Sequence, residues 1–259
     1  MNPHIVLSGL ASVVAAAGGA LGAALLIHRL IPVARRQANN DVAGLAFAII
    51  GVLYAILLTF VTMGVWTNVD NARNSSHQEA TAVVDVNRYA ESLNAPDNAH
   101  LRALVGQYVE VVVHREWPRM ARGQAVGADG GHTLDQIWSS VNAQHPTSDD
   151  DLARLAEART DLRNLETARN ARLAAADASL PQVIWLALLV GAALTVVNAM
   201  MFGVQGTGEY LAIIAMLAAV SALLLFAVYE LEYPFQRGAA IRSTVFATTV
   251  GDLTGNSPG

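Results

Sequence analysis

Residues 42–94 read VAGLAFAIIGVLYAILLTFVTMGVWTNVDNARNSSHQEATAVVDVNRYAESLN, and how this stretch folds decides the architecture. Its first part, 42–65, contains no charged residue. An apolar helix of about 20 residues crosses ~30 Å of hydrocarbon, so 42–65 reads as a membrane span. Trp66 follows, at the level where an interfacial aromatic is expected. Small or apolar residues then recur at Ala80, Val83, Val84, Asn87 and Ala90, spaced by three and four. The span is therefore expected to continue out of the bilayer as one long helix to about residue 94.

Working outward, three more spans are expected. Residues 5–27 are uncharged and end at His28 and Arg29. A secretory signal peptide is the rival reading, but no basic residue precedes the run and the run exceeds a signal peptide's apolar core. A third span starts near Pro181, a residue tolerated in a first helical turn, and covers 182–202. The fourth covers 210–229, ends at Glu230 and Glu232, and is closed by Pro234, which lacks the amide hydrogen a helix interior needs.

Composition agrees. The chain is 53% hydrophobic and 14% charged, against roughly 25% charged in ordinary soluble domains. Apolar residues gather in 5–66 and 182–229, and the charge lies almost wholly in 68–177. Net charge is −5 with no basic stripe, which excludes a nucleic-acid partner. The chain has no Lys, so every fixed cation is an Arg, suited to bidentate carboxylate pairing. It has no Cys, which excludes disulfides, thiolate catalysis and Cys-bound metals.

The expected fold class is all-α: a polytopic membrane protein of four transmembrane helices in two hairpins, with a helical extramembrane domain between helices 2 and 3. The expected divisions are hairpin 1 at 1–66, the helical domain at 67–180, hairpin 2 at 181–232 and a C-terminal tail at 233–259. Within the domain, 94–97 is a turn and a helix from 98 to about 116 buries Leu101, Leu104, Val105, Tyr108, Val111 and Val112. Glu116-Trp117-Pro118 reads as that helix's terminus, since a proline pushes the preceding residue out of helical geometry. Residues 123–133, with four glycines, read as a loop. A short helix at 134–143 follows. A last one opens at Ser148 and is expected to run directly into the third span, burying Leu152, Leu155, Leu162, Leu165 and Leu173. Ser148 caps it, and Asp149, Asp150 and Asp151 suit its positive end.

Four spans place both termini and the domain on one side of the membrane. Arg29, Arg35 and Arg36 in the first hairpin loop favour a cytoplasmic loop under the positive-inside rule. Arg73, Arg169, Arg172, Arg237 and Arg242 on the domain side favour the reverse. The location expected is the inner (plasma) membrane, multi-pass, with sidedness open.

The candidate site residues lie mainly on the second span. Gly44, Ala48, Gly51, Ala55, Thr59, Thr62 and Trp66 recur at alternating spacings of four and three, forming one stripe. Phe47, Ile50, Leu53, Leu57 and Val61 form the opposite face. The stripe suits a pore lining, narrow where residues are small and offering hydroxyls at Thr59 and Thr62. It equally suits close helix packing. Asn40, Asp41 and Asp70 flank the span and, in a ring of subunits, would place oxygens at both mouths and favour cations. The plainer role of Asn40-Asp41 is a helix N-cap. Thr195 and Asn198 in the third span read as interhelical hydrogen-bonding groups, and Gly18 and Gly22 as a packing pair. Glu230 and Glu232 are expected to pair with Arg237 or Arg242. The His residues are scattered, so no metal site is expected, and no cofactor. No nucleophile elbow, phosphate loop or paired-carboxylate signature is present, so the chain is not expected to be an enzyme.

Several segments occur in a recognisable order: Asn39-Asn40-Asp41, Gly44 and the run 51–55; Trp66 with Glu79-Ala80; Glu116-Trp117-Pro118; Arg169 and Arg172 leading to Leu180-Pro181; and Tyr233-Pro234-Phe235 with Gly238. Across about 35–250 the chain resembles the bacterial bestrophin-like membrane proteins, a domain of unknown function distantly similar to bestrophin channels. The resemblance implies a homo-oligomer, a pentamer in bestrophins, with the second span around the pore, and so inorganic ions and membrane lipid as partners. The acidic run of calcium-gated bestrophins is missing after 235, so calcium gating is not implied. The function expected is an oligomeric ion channel with cation preference. The alternative is a non-conducting membrane adaptor or sensor whose helical domain binds a partner. A secondary transporter fits less well, because no span is charged or broken.

Overall fold

A computed structural model describes residues 3–238, 240–244, 246 and 251. Part of the expected 233–259 tail therefore lies outside the described residues. The described residues form helices and no strand, so the chain is all-α. The helices are α1 (Pro3–Leu30), α2 (Val33–Gln37), α3 (Asn40–Ser92), α4 (Asp97–Val111), a π-helical turn (Val112–Glu116), α5 (Trp117–Ala121), α6 (Asp129–Asn142), α7 (Asp149–Asp177), α8 (Gln182–Met200) and α9 (Thr207–Leu231). Four of them, α1, α3, α8 and α9, are long and apolar enough to cross a membrane.

The chain divides into two compact units: residues 1–66 with 179–232 (unit 1), and 67–178 with 233–259 (unit 2). In unit 1, α1 packs along α9, and Gly9 permits the approach: a Cβ there would lie 2.8 Å from Phe226 Cε1. The expected packing pair is different. Gly18 and Gly22 have nothing within 4 Å of a built Cβ, so among the described residues no helix closes on them. One apolar cluster joins Tyr54, Leu58, Val61 and Val65 to Leu188, Ala192 and Val228. A second gathers Ala24, Ala199, Met200, Tyr210 and Ile214.

Unit 2 has one core. Ala80, Val83, Leu101, Val105, Tyr108, Val112, Leu155, Leu162 and Leu165 are buried in it, on the predicted faces. Leu152 is a correction: it is 55% exposed, being in the first turn of α7, before that helix meets its neighbours. The Ser148 hydroxyl accepts from the Asp151 amide at 3.1 Å, as its capping role requires. The described residues after 233 join this core, where Trp117 Nε1 donates to the Ile241 carbonyl at 3.0 Å and packs edge-on against Phe235.

Two further expectations fail at prolines. The helix opened at Asp97 does not stop at Glu116 but passes through the π turn into α5. Pro118 has no amide to give His114 and its ring would crowd that carbonyl, and the backbone widens instead, Trp117 N–H bonding Val112 O. Conversely, α7 does not run into α8. Ala178 is extended (φ −66°, ψ 126°) and Pro181 has ψ 140°, as the residues around a proline prefer.

Candidate functional site

Two faces of α3 matter in unit 1. Tyr54, Leu58, Val61 and Val65 recur at helical spacing and are all buried, forming the seam toward α8 and α9. Gly191 of α8 makes room for the Tyr54 ring, since a Cβ there would lie 2.5 Å from Tyr54 Cδ2. The small-residue stripe is rotated from this seam by roughly 90°, at 100° per residue. Ala48, Ala55, Thr59, Thr62 and Trp66 are exposed, and Gly44 and Gly51 half-buried.

A built Cβ at Gly51 meets nothing within 4 Å, and at Gly44 it meets only Phe202 Cε1 at 3.9 Å. Among the described residues, no close helix packing within the chain falls on Gly51 or on the exposed Ala48 and Ala55. Thr59, which is exposed, donates its hydroxyl to Ala55 O at 2.7 Å, so its oxygen keeps only acceptor capacity. The face first paired against this stripe is mixed: Val61 is buried, whereas Leu53 is 63% exposed.

Of the residues flanking the span, Asn40 is engaged. Its Nδ2 donates to Gly203 O at 3.3 Å and its Oδ1 accepts from Gly203 N–H at 2.9 Å. It ties α3 to the 201–206 turn rather than capping its own helix, and Gly203 has no room for a side chain, since a built Cβ would clash with Gln37 N. Asp41 is exposed. In unit 2, Asp70 is exposed and accepts from Asn74 Nδ2 at 3.4 Å. Thr195 bonds back to Gly191 O at 2.8 Å, within its own helix. Glu232 accepts from Leu180 N–H at 3.0 Å and from Trp185 Nε1 at 3.2 Å.

Unit 2 contains a buried charged cluster that sequence reasoning did not assemble. Arg172 is fully buried. Its Nε donates to Glu79 Oε2 at 2.5 Å, and its Nη2 donates to Glu79 Oε1 at 3.0 Å and Glu116 Oε2 at 2.7 Å. Arg169 Nη1 donates to the same Glu116 oxygen at 2.7 Å, and Tyr108 OH donates to Glu79 Oε1 at 2.6 Å. Two carboxylates thus meet two guanidiniums.

Burial pushes the Glu116 carboxyl up. The hydrogen bond from Arg169 and the charges of Arg172 and Arg169 outweigh it and hold the group below its ordinary value. Burial and the Glu79 charge raise the Tyr108 phenol well above its usual range. Gly130 closes over the cluster, for a Cβ there would clash with Glu116 Oε1. Arg169 and Arg172, expected as cations flanking the spans, are thereby corrected to neutralised interior groups. The available signal was their place on the Leu162–Leu165 stripe of α7, and that of Glu79 beside buried Ala80.

The Bestrophin-like domain matches residues 14–246. No curated protein matches the chain. Among solved structures, a mutant of a bacterial bestrophin homologue from Klebsiella pneumoniae superposes with a TM-score of 0.69 at 15% identity, covering 96% of this chain and 99% of that one. Another structure of a Klebsiella pneumoniae bestrophin homologue gives 0.66 at 16% identity, covering 98% and 100%. At such identity these likenesses establish a shared fold.

Proposed function

The chain belongs to the bestrophin-like family, and from that premise we propose that it is the subunit of a homo-oligomeric ion channel whose pore is lined by residues 42–66 of α3. Under this reading α1, α3, α8 and α9 are the four spans and 67–178 is the extramembrane helical domain. The observation that carries the proposal is the stripe from Gly44 to Trp66. From Gly44 to Thr62 it is small or hydroxyl-bearing, and among the described residues no helix of its own chain closes over it at Gly51. In a lipid-facing position such a stripe gains nothing, whereas around an axis it gives a narrow, uncharged wall with hydroxyl oxygens at Thr59 and Thr62. Asp41 and Asp70 bracket the segment in sequence and are exposed. Carboxylate rings favour cations, so cation preference belongs to the proposal.

The test is ion flux into liposomes holding the purified full-length protein. Thr62→Trp and Ala55→Trp should each cut flux by an order of magnitude or more, because a bulky side chain repeated around a narrow ring closes it. Flux indifferent to both would remove α3 from the pore wall. Silence from a well-folded oligomer would favour the membrane adaptor instead.

A further inference from the structure

Unit 1 carries a groove of about 590 Å3 between α3, α8 and the connection that follows α1. Arg35, Arg36 and Asn39 line one end, and Ile50, Leu194 and Val197 line its apolar length. Ile50 lies ten residues beyond Asn40 along α3, so the groove penetrates the span by about 15 Å at 1.5 Å per residue. That is one leaflet of a ~30 Å hydrocarbon core.

Among the described residues the Arg36 charge at the polar end has no carboxylate partner. Arg36 is 3% exposed. Its Nη1 donates to Met200 O at 3.1 Å and Phe202 O at 3.3 Å, its Nη2 lies 2.8 Å from His28 Nδ1, and its guanidinium sits 4.9 Å over the Tyr210 ring. None of these partners is a carboxylate, and the Arg36 Nε–H has no partner among the described residues. Among the described residues neither Arg35 nor Arg36 makes an ion pair, although Arg169 and Arg172 in unit 2 each do. The acids of the adjoining helix starts, Asp41 and Glu209, are exposed. The carbonyl end of α8 offers about half a charge of compensation. A buried cation normally has an anionic partner, because unpaired burial is costly.

The geometry points to an anionic phospholipid as the occupant of this groove: its phosphate lies against the Arg35 guanidinium above the uncompensated Arg36 charge, and an acyl chain lies along Ile50, Leu194 and Val197. The polar end supplies donors and positive charge for the phosphate. The apolar length matches one leaflet. This requires that unit 1 is embedded in a bilayer, and it stands whether or not the protein conducts.

Native mass spectrometry of the full-length protein, with phosphatidylglycerol and phosphatidylcholine in equal amounts, tests it. Phosphatidylglycerol should be retained preferentially, about one per chain. Arg35→Gln, at an exposed position outside the core, should reduce that retention roughly fivefold, the factor that corresponds to ~1 kcal/mol per basic residue facing an anionic headgroup. Val197→Trp, filling the apolar length, should reduce retention of both lipids. Circular dichroism would establish that both variants fold. Equal retention of the two lipids would overturn the proposal, as would wild-type retention in both variants. Complete displacement of the lipid by inorganic phosphate would also overturn it, since the acyl chain would then contribute nothing. Liposome flux on the same preparations separates this outcome from failure of the channel reading.

Discussion

Glu116 shares one carboxylate oxygen between Arg169 and Arg172, while its other oxygen is buried without a partner. Its pH behaviour follows from the sign of its shift. The folded value lies below the unfolded one, so Glu116 contributes stability that is fully present above the ordinary Glu value near 4.5 and is lost as pH falls through the depressed folded value. Helicity followed by circular dichroism during thermal unfolding should therefore hold its Tm from pH 7 to about pH 5 and fall steeply below. Glu116→Gln should lower Tm already at pH 7, through a stability loss of the ~3–5 kcal/mol typical of leaving a buried guanidinium short of its partner, and should flatten the acid limb. An acid limb unchanged in the variant would show that other carboxylates govern acid unfolding. The residues of this cluster were visible in the sequence as charges standing on apolar stripes. Their mutual pairing was not, because Glu79 and Arg172 are brought together from positions far apart in the chain.

At the level of elements, unbroken α3 shows how reliably a long periodic pattern is read, whereas the helix ends around Pro118 and Pro181 were misassigned in opposite directions. A proline reports only a missing donor and a steric demand. Whether the chain widens into a π turn or breaks depends on what the neighbouring side chains gain. At 112–116 the extra residue lets Glu116 and Trp117 both point into the core, with His114 and Arg115 outside. The seam between α3 and α8 gives a direct test of element packing. Gly191→Leu would force a branched side chain into the Tyr54 ring, where even a Cβ is at 2.5 Å. Overpacking of this kind costs about 1–3 kcal/mol, so the variant should unfold several degrees below wild type in detergent. Adding Tyr54→Ala to it should recover part of the loss. Failure of that rescue would place the strain elsewhere.

On the scale of the whole molecule, unit 1 exposes large apolar residues on every long helix, among them Leu10, Leu45, Phe60, Met63, Leu189 and Leu223. Under the channel reading, lipid and other copies of the chain cover them. The channel reading requires both, so the protein purified in mild detergent should have a protein mass that is a fixed multiple of the 27.3 kDa chain, fivefold if the resemblance to bestrophin channels extends to subunit number. Light scattering with the detergent contribution subtracted measures this, and a monomer at all concentrations would remove the ring on which the pore depends.

The amino-acid sequence by itself determined the helical class, the four apolar segments and the family, because these rest on local periodicity, residue length and the order of short motifs. The stripe from Gly44 to Trp66 was legible for the same reason. Only the tertiary structure decided that, among the described residues, no helix closes over that stripe at Gly51, that Arg169 and Arg172 are interior partners of Glu79 and Glu116, and that no described carboxylate pairs with buried Arg36. Local patterns fix what a segment forms, but the neutralisation of a charge depends on groups brought close in space, which sequence spacing does not encode.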